Sequence, residues 1–161
     1  MTTVFHLALT PRFWQEGDAM RRTRRPALSA GALHSISVVL FVDGVAYRVN
    51  VELCTLDRLS FPSEIYEMWT SRCKFLLPNA KGAFMALVAD MAKPKAAYEN
   101  GESLLLRDAG ALLQTLALAT EWCGLGFCPL GILGNEVVSA LPANEQLLAV
   151  GAAAIGVPIQ T

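Results

Sequence analysis

The apolar positions of the chain fall into runs of two different periods, and the period predicts the elements. Residues 36–42 form a β-branched apolar run, read as a buried strand. Asp43-Gly44 follows, the dipeptide that most favours a tight hairpin. Beyond it Tyr47, Val49, Val51 and Leu53 alternate with Arg48, Asn50 and Glu52, which predicts a strand with one wet face. Residues 83–91 and 147–155 are two further apolar strand candidates. Pro62-Ser63 with Glu64 and Glu67 starts a helix running to about residue 72, its acidic residues favouring the positive end of the helix dipole. Residues 104–123 carry the longest helical pattern. Leu105, Leu112, Leu116 and Ala119 make one stripe, which Leu106, Ala109, Leu113 and Ala117 widen, so the helix is expected to be buried on most sides. Gly124 is placed to end it. A short helix is expected near 135–140. Residues 1–20 read as a short arm, 27–34 as a tight turn, 93–102 as a polar turn region and 124–131 as a Gly/Pro turn.

Composition narrows the class. At 161 residues, 53% hydrophobic and 17% charged, the chain suits one domain and is too apolar to be disordered. The excess of apolar residues predicts an obligate oligomer, with a bound cofactor as the second explanation. A membrane span is not expected. The uncharged stretch between Glu121 and Glu136 is broken by Gly124, Gly126, Pro129, Gly131 and Gly134, and the uncharged tail after Glu145 falls short of the roughly 20 residues needed. The apolar run at 6–10 leads into Pro11, Arg12 and Glu16 rather than a cleavage site, so a soluble cytoplasmic protein is expected. Cys54, Cys73, Cys123 and Cys128 form no CxxC and lie far in sequence from His6 and His34. All four are read as structural, with no metal site.

Charge is lopsided. Arg21, Arg22, Arg24 and Arg25 cluster before Pro26, and nothing after Arg107 is basic. The cluster is either a solvated segment or a phosphate site beside the Ser/Gly turn. Nucleic-acid binding is disfavoured because no aromatic residue interleaves with the arginines. There is no GxSxG and no P-loop, and Gly124-x-Gly126 follows a helix where a dinucleotide turn would follow a strand.

The order of segments is more informative than any one of them. Arg24-Arg25-Pro26-Ala27-Leu28-Ser29-Ala30-Gly31-Ala32-Leu33-His34 enters a strand. Asp108-Ala109-Gly110-Ala111-Leu112-Leu113-Gln114 lies in the long helix, which leads into Gly124-Leu125-Gly126-Phe127-Cys128-Pro129-Leu130-Gly131, and Leu147-Leu148-Ala149-Val150-Gly151 closes the pattern. In this order the chain resembles the nitroreductase-like flavoproteins, and within them the SagB-type dehydrogenases that oxidise azoline rings in ribosomal peptides.

That resemblance implies an α+β fold with a central, mostly antiparallel sheet flanked by helices and the long helix at a dimer interface. It implies FMN shared between the two subunits of a homodimer, and dehydrogenation of a peptide-like substrate. Arg24 or Arg25 and Ser29, with Ala30 and Gly31, would hold the phosphate. Gln114 and the backbone at Pro129, Leu130 and Gly131 would lie near the flavin ring. SagB-type enzymes use a Lys-Tyr pair upstream of the Ala-Gly helix. Here the matching residues are Lys95 and Tyr98, separated by two alanines. The resemblance also implies a shortened domain at 21–161, with little of the usual preceding helical region and no basic residue after the last strand. A partner protein completing the site, or a non-catalytic, flavin-poor scaffold subunit, is the alternative.

Overall fold

The computed structural model describes residues 1–142 and 144–158; the last three residues of the expected 21–161 domain lie outside them. Its centre is a six-stranded antiparallel sheet. The strands are β3 (Ile36–Val42), β4 (Val45–Asn50), β5 (Thr55–Arg58), β6 (Gly82–Asp90), β7 (Gly126–Leu130) and β8 (Leu147–Gly156), in the order β5-β4-β3-β6-β8-β7. A separate two-stranded ribbon pairs β1 (Phe13–Trp14) with β2 (Thr23–Arg24). The helices are α1 (Thr2–Leu9), α2 (Ser63–Leu76), α3 (Ala92–Ala97), α4 (Gly101–Trp122) and α5 (Asn135–Ser139). The α+β architecture expected from the sequence is present.

Strand alternation sends side chains to two cores. Val38 and Leu40 of β3, Met85 and Leu87 of β6, and Ala153 and Ile155 of β8 face α4 and α1. Val39, Phe41, Phe84, Ala86, Ala152 and Ala154 face Trp69 and Cys73 of α2 and Val137 and Val138 of α5. A register shift between Leu87 and Val88 leaves Val150 without a partner on β6, and this extra residue puts Val150 and Ala153 on the same side of the sheet. The β3–β4 turn is as expected: Asp43 and Gly44 both take positive φ, 49° and 77°, which a two-residue hairpin loop of this type requires.

Several expectations are corrected. Part of the expected arm is helix α1, whose Val4, Phe5, Ala8 and Leu9 are buried in the core. The polar region 93–102 contains α3, and α4 begins at Gly101, where the absence of a Cβ admits the backbone of Pro94. The Gly/Pro turn at 124–131 holds strand β7. Its Pro129 is tolerated because β7 is an edge strand, bonded only to β8, so the missing N–H interrupts no central ladder. Helix α4 is buried along one face, through Leu105, Ala109, Leu112, Leu116 and Ala119, while Leu106, Leu118 and Trp122 are exposed. Cys73 alone of the four cysteines is fully buried; Cys54 is exposed.

Candidate active site

The turn before β3 is strained. Gly31, Ala32 and His34 have φ of 58°, 57° and 46°. For the two residues with a Cβ this conformation costs roughly 1–2 kcal/mol each, so something must hold it. The Ser29 hydroxyl donates to Asp108 Oδ2 at 2.6 Å and accepts the His34 amide at 2.9 Å. The Ala30 amide donates to Asp108 at 3.0 Å (Oδ1) and 3.2 Å (Oδ2). One carboxylate on α4 thus fastens the turn to the long helix. His34 Nε2 lies 2.9 Å from the Thr23 carbonyl, which can only accept, so the proton sits on Nε2. Burial, then the charge of Arg25, pushes the His34 pKa down to about 4, and the imidazole is neutral at pH 7.

Arg25 lies beside this turn. Its Nε donates to Thr23 Oγ1 at 2.9 Å, and its terminal nitrogens have no partner among the described residues. Burial lowers its pKa, and the charge of Glu52 only partly opposes that. A desolvated guanidinium without a bound anion is a receptor for one. The Ser35 hydroxyl, also buried, has no partner among the described residues. The space between Arg25, Ser29, His34 and Ser35 is about 20 Å³, room for one water and not for a phosphate.

The expected catalytic pair separates. Tyr98 follows α3, and its hydroxyl lies directly over Gly31, in the space a Cβ would fill. Lys95 faces solvent. Lys93, half-buried, is the lysine whose charge reaches His34. The other expected residues divide in the same way. Arg24 is exposed on β2, and Ser29 and the Ala30 amide are taken by Asp108. Gln114 is six positions beyond Asp108, about 9 Å along and 240° around the helix, on the exposed face. Pro129, Leu130 and Gly131 end β7. The register sets Leu130 opposite Ala152 and, through Ala86, level with Val39, at the middle of β8, β6 and β3. Arg25, Gly31 and Tyr98 lie by the start of β3, whereas Pro129, Leu130 and Gly131 are set apart from them, three strands away and toward the middle of the sheet.

Asp108, His34, Lys93 and Ser35 were not singled out from the sequence. For Asp108 a signal existed, since it opens the Asp-Ala-Gly segment, but its partner is 79 positions away. Among the described residues, no three or more His, Cys, Asp or Glu gather as a metal site, and no helix is long and apolar enough to cross a membrane.

No family model and no curated protein matches the chain by sequence. Solved structures do match by shape. A protein assigned as a nitroreductase from Anabaena variabilis aligns with a TM-score of 0.80 at 15% identity, over 96% of this chain and 34% of that one. A second such protein, from Ralstonia eutropha, gives 0.70 at 15% identity, over 99% and 72%. The chain has the nitroreductase fold. The Escherichia coli microcin synthetase McbBCD complex with truncated pro-MccB17 bound is also similar, with a TM-score of 0.67 at 16% identity, over 99% of this chain and 63% of its counterpart. The chain thus spans about a third of the Anabaena nitroreductase and under two thirds of the microcin synthetase chain.

Against a nitroreductase-fold flavin site, the residues fit in part. Arg25 has the character of a phosphate ligand, and Gly31 leaves its backbone uncovered except by Tyr98. Ser29 and Ala30 do not fit as phosphate donors while Asp108 holds them.

Proposed function

We propose that this nitroreductase-fold chain forms the flavin-binding part of an FMN-dependent oxidoreductase. Its substrate is peptide-like, and the reaction is azoline-to-azole conversion or another Cα–Cβ dehydrogenation. The observation that carries the reading is the meeting of Tyr98 with Gly31, 67 positions away in sequence, near Arg25, whose terminal nitrogens have no partner among the described residues. Bound there, FMN supplies the two-electron acceptor. Arg25 binds the phosphate through its free terminal nitrogens. Tyr98 covers the Gly31 backbone and holds a proton at its hydroxyl oxygen, from which it donates a hydrogen bond to a substrate carbonyl. Lys93 contributes positive charge from the first turn of α3, and Lys95 stays in solvent. The reading puts a second copy of the chain on α4, where Leu118 and Trp122 are exposed one turn apart.

The purified chain is expected to be yellow and to release FMN on denaturation. Arg25→Ala should lose retained FMN, whereas Arg24→Ala should keep it. Tyr98→Phe should slow flavin bleaching by substrate without emptying the site. A folded, colourless protein that takes up no added FMN would overturn the proposal. That outcome would favour the second reading, a flavin-poor scaffold subunit, which the engagement of Ser29 and Ala30 by Asp108 already favours.

A further inference from the structure

A second group of chemically capable side chains lies outside the Arg25–Tyr98 site. Cys54 Sγ is 3.6 Å from His6 Nδ1 and 3.7 Å from Thr10 Oγ1, and Thr10 Oγ1 is 3.1 Å from the same His6 nitrogen. The three atoms form a closed triangle built from two distant segments. His6 lies in the last turn of α1, and Thr10 is the residue that ends it. Cys54 lies in the turn between β4 and β5, at positive φ (55°), a conformation that residues with a Cβ rarely adopt. Asn50 builds that turn, its side-chain oxygen accepting the Glu52 and Leu53 amides at 3.2 and 3.1 Å. The group rims a cleft of about 240 Å³ whose walls include Phe5, Val49, Leu56, Asn50 and Thr55.

We propose that Cys54 is a thiol–disulfide exchange site, with His6 as its proton acceptor and the cleft as the seat of a small organic disulfide. The thiol proton passes from Sγ to His6 Nδ1, while Thr10 donates its hydroxyl hydrogen to the sulfur that becomes anionic. The sulfur attacks one sulfur of the disulfide, so that the Cys54 S–S bond forms as the ligand's S–S bond breaks. The departing thiolate takes the proton from His6. Cys54 is oxidised to the mixed disulfide and the leaving sulfur is reduced to a thiol, with no other reactant. Such exchange needs an accessible sulfur and a means of deprotonation. The remaining cysteines supply the contrast. Cys73 is fully buried, and burial pushes its thiol up to about 12, while Cys123 and Cys128 are half-buried with no imidazole beside them.

The test is incubation of the full chain with oxidised glutathione, read by intact-protein and peptide mass spectrometry. The expected product is one adduct, on Cys54, formed about tenfold or more faster than on the same cysteine in the urea-unfolded chain. The rate should saturate with glutathione disulfide concentration, as a seated ligand requires. His6→Ala should slow the reaction to the unfolded-chain rate, and Thr10→Val should slow it less, both with unchanged circular dichroism. A Cys54 rate equal to that of the unfolded chain, or one insensitive to His6→Ala in a folded variant, would show exposure alone and overturn the proposal. A strictly linear dependence on concentration would remove the cleft from it. FMN content plays no part in these readouts, so failure here leaves the flavin reading standing, and the reverse.

Discussion

The two faces of the sheet are packed by different means. On one, Phe41 meets Phe61 edge-on at 5.3 Å between ring centroids and lies tilted against Tyr66 at 5.7 Å and Trp69 at 5.9 Å. On the other, α4 meets the sheet with Leu105, Ala109, Leu112 and Leu116, and the sheet residues facing it, among them Val38, Leu40, Met85, Leu87 and Ile155, are non-aromatic. The aromatic face closes on itself through α2 and α5. Against the aliphatic face lies a long helix that carries Asp108 to the turn at Ser29 and exposes Leu118 and Trp122 one turn apart near its C-terminal end. Aromatic bulk fills the first face, whereas the second is packed by a long helix that also positions groups at the candidate site. The candidate site draws on the second.

That contrast can be broken most forcefully at Trp69. It is fully buried, and its indole nitrogen has no hydrogen-bond partner among the described residues. Trp69→Ala should therefore cost about 3–5 kcal/mol through packing alone, measured by urea unfolding. FMN uptake by the folded fraction should be unchanged. On the other face, Asp108→Ala leaves the Ser29 hydroxyl and Ala30 amide without their acceptor and should cost about 1–3 kcal/mol. Asp108→Asn, which keeps one acceptor oxygen, should cost less. Equal losses in the two variants would mean that the charge, not the hydrogen bonds, holds the turn.

Gly31→Ala should cost about 1–2 kcal/mol through positive φ and also displace Tyr98, whose hydroxyl oxygen is the nearest atom. Tyr98→Phe removes that atom. A double-mutant cycle should therefore show coupling of about 1 kcal/mol, and additive effects would separate Tyr98 from Gly31. For His34 the folded pKa is about 4, below the ordinary 6.5. The unfolded chain then binds more protons between these values, so stability falls as pH drops through that window. His34→Asn should flatten that part of the pH profile. The smallest effect is expected at the Arg72–Glu136 ion pair that ties α2 to α5 at 3.0 Å. Because the arginine is largely exposed, Arg72→Ala should cost under about 1 kcal/mol.

Much of the fold was legible where a local rule acts alone. The β3–β4 hairpin followed from Asp43-Gly44 and alternation, and α4 ended beside Gly124, whose φ of 68° suits the residue after a helix. Strands β5 and β7 were missed because β5 has no apolar pattern of its own and Gly126 and Pro129 make β7 read as a turn; each is a strand because a neighbour offers it a hydrogen-bonding edge. Helix α1 looked like an arm because its burial depends on α4, more than ninety residues later in the chain. The site divided along the same line. The sequence brought forward Gly31, Tyr98 and the arginine cluster as residue types. It had no means of ranking Arg24 against Arg25 or Lys95 against Lys93, since each choice depends on which neighbour is buried beside the turn.

By itself, then, the sequence determined the periods, the hairpin, the long helix and the order of segments that resembles a nitroreductase, because these depend on interactions within a few residues. The tertiary structure decided three other things. It assigned Ser29 and Ala30 to Asp108, left the terminal nitrogens of the half-buried Arg25 without a partner among the described residues, and brought Cys54 against His6. Each is a contact between segments distant in the chain, and hydrogen bonding and burial there are set by the packing of whole elements, which no local pattern records.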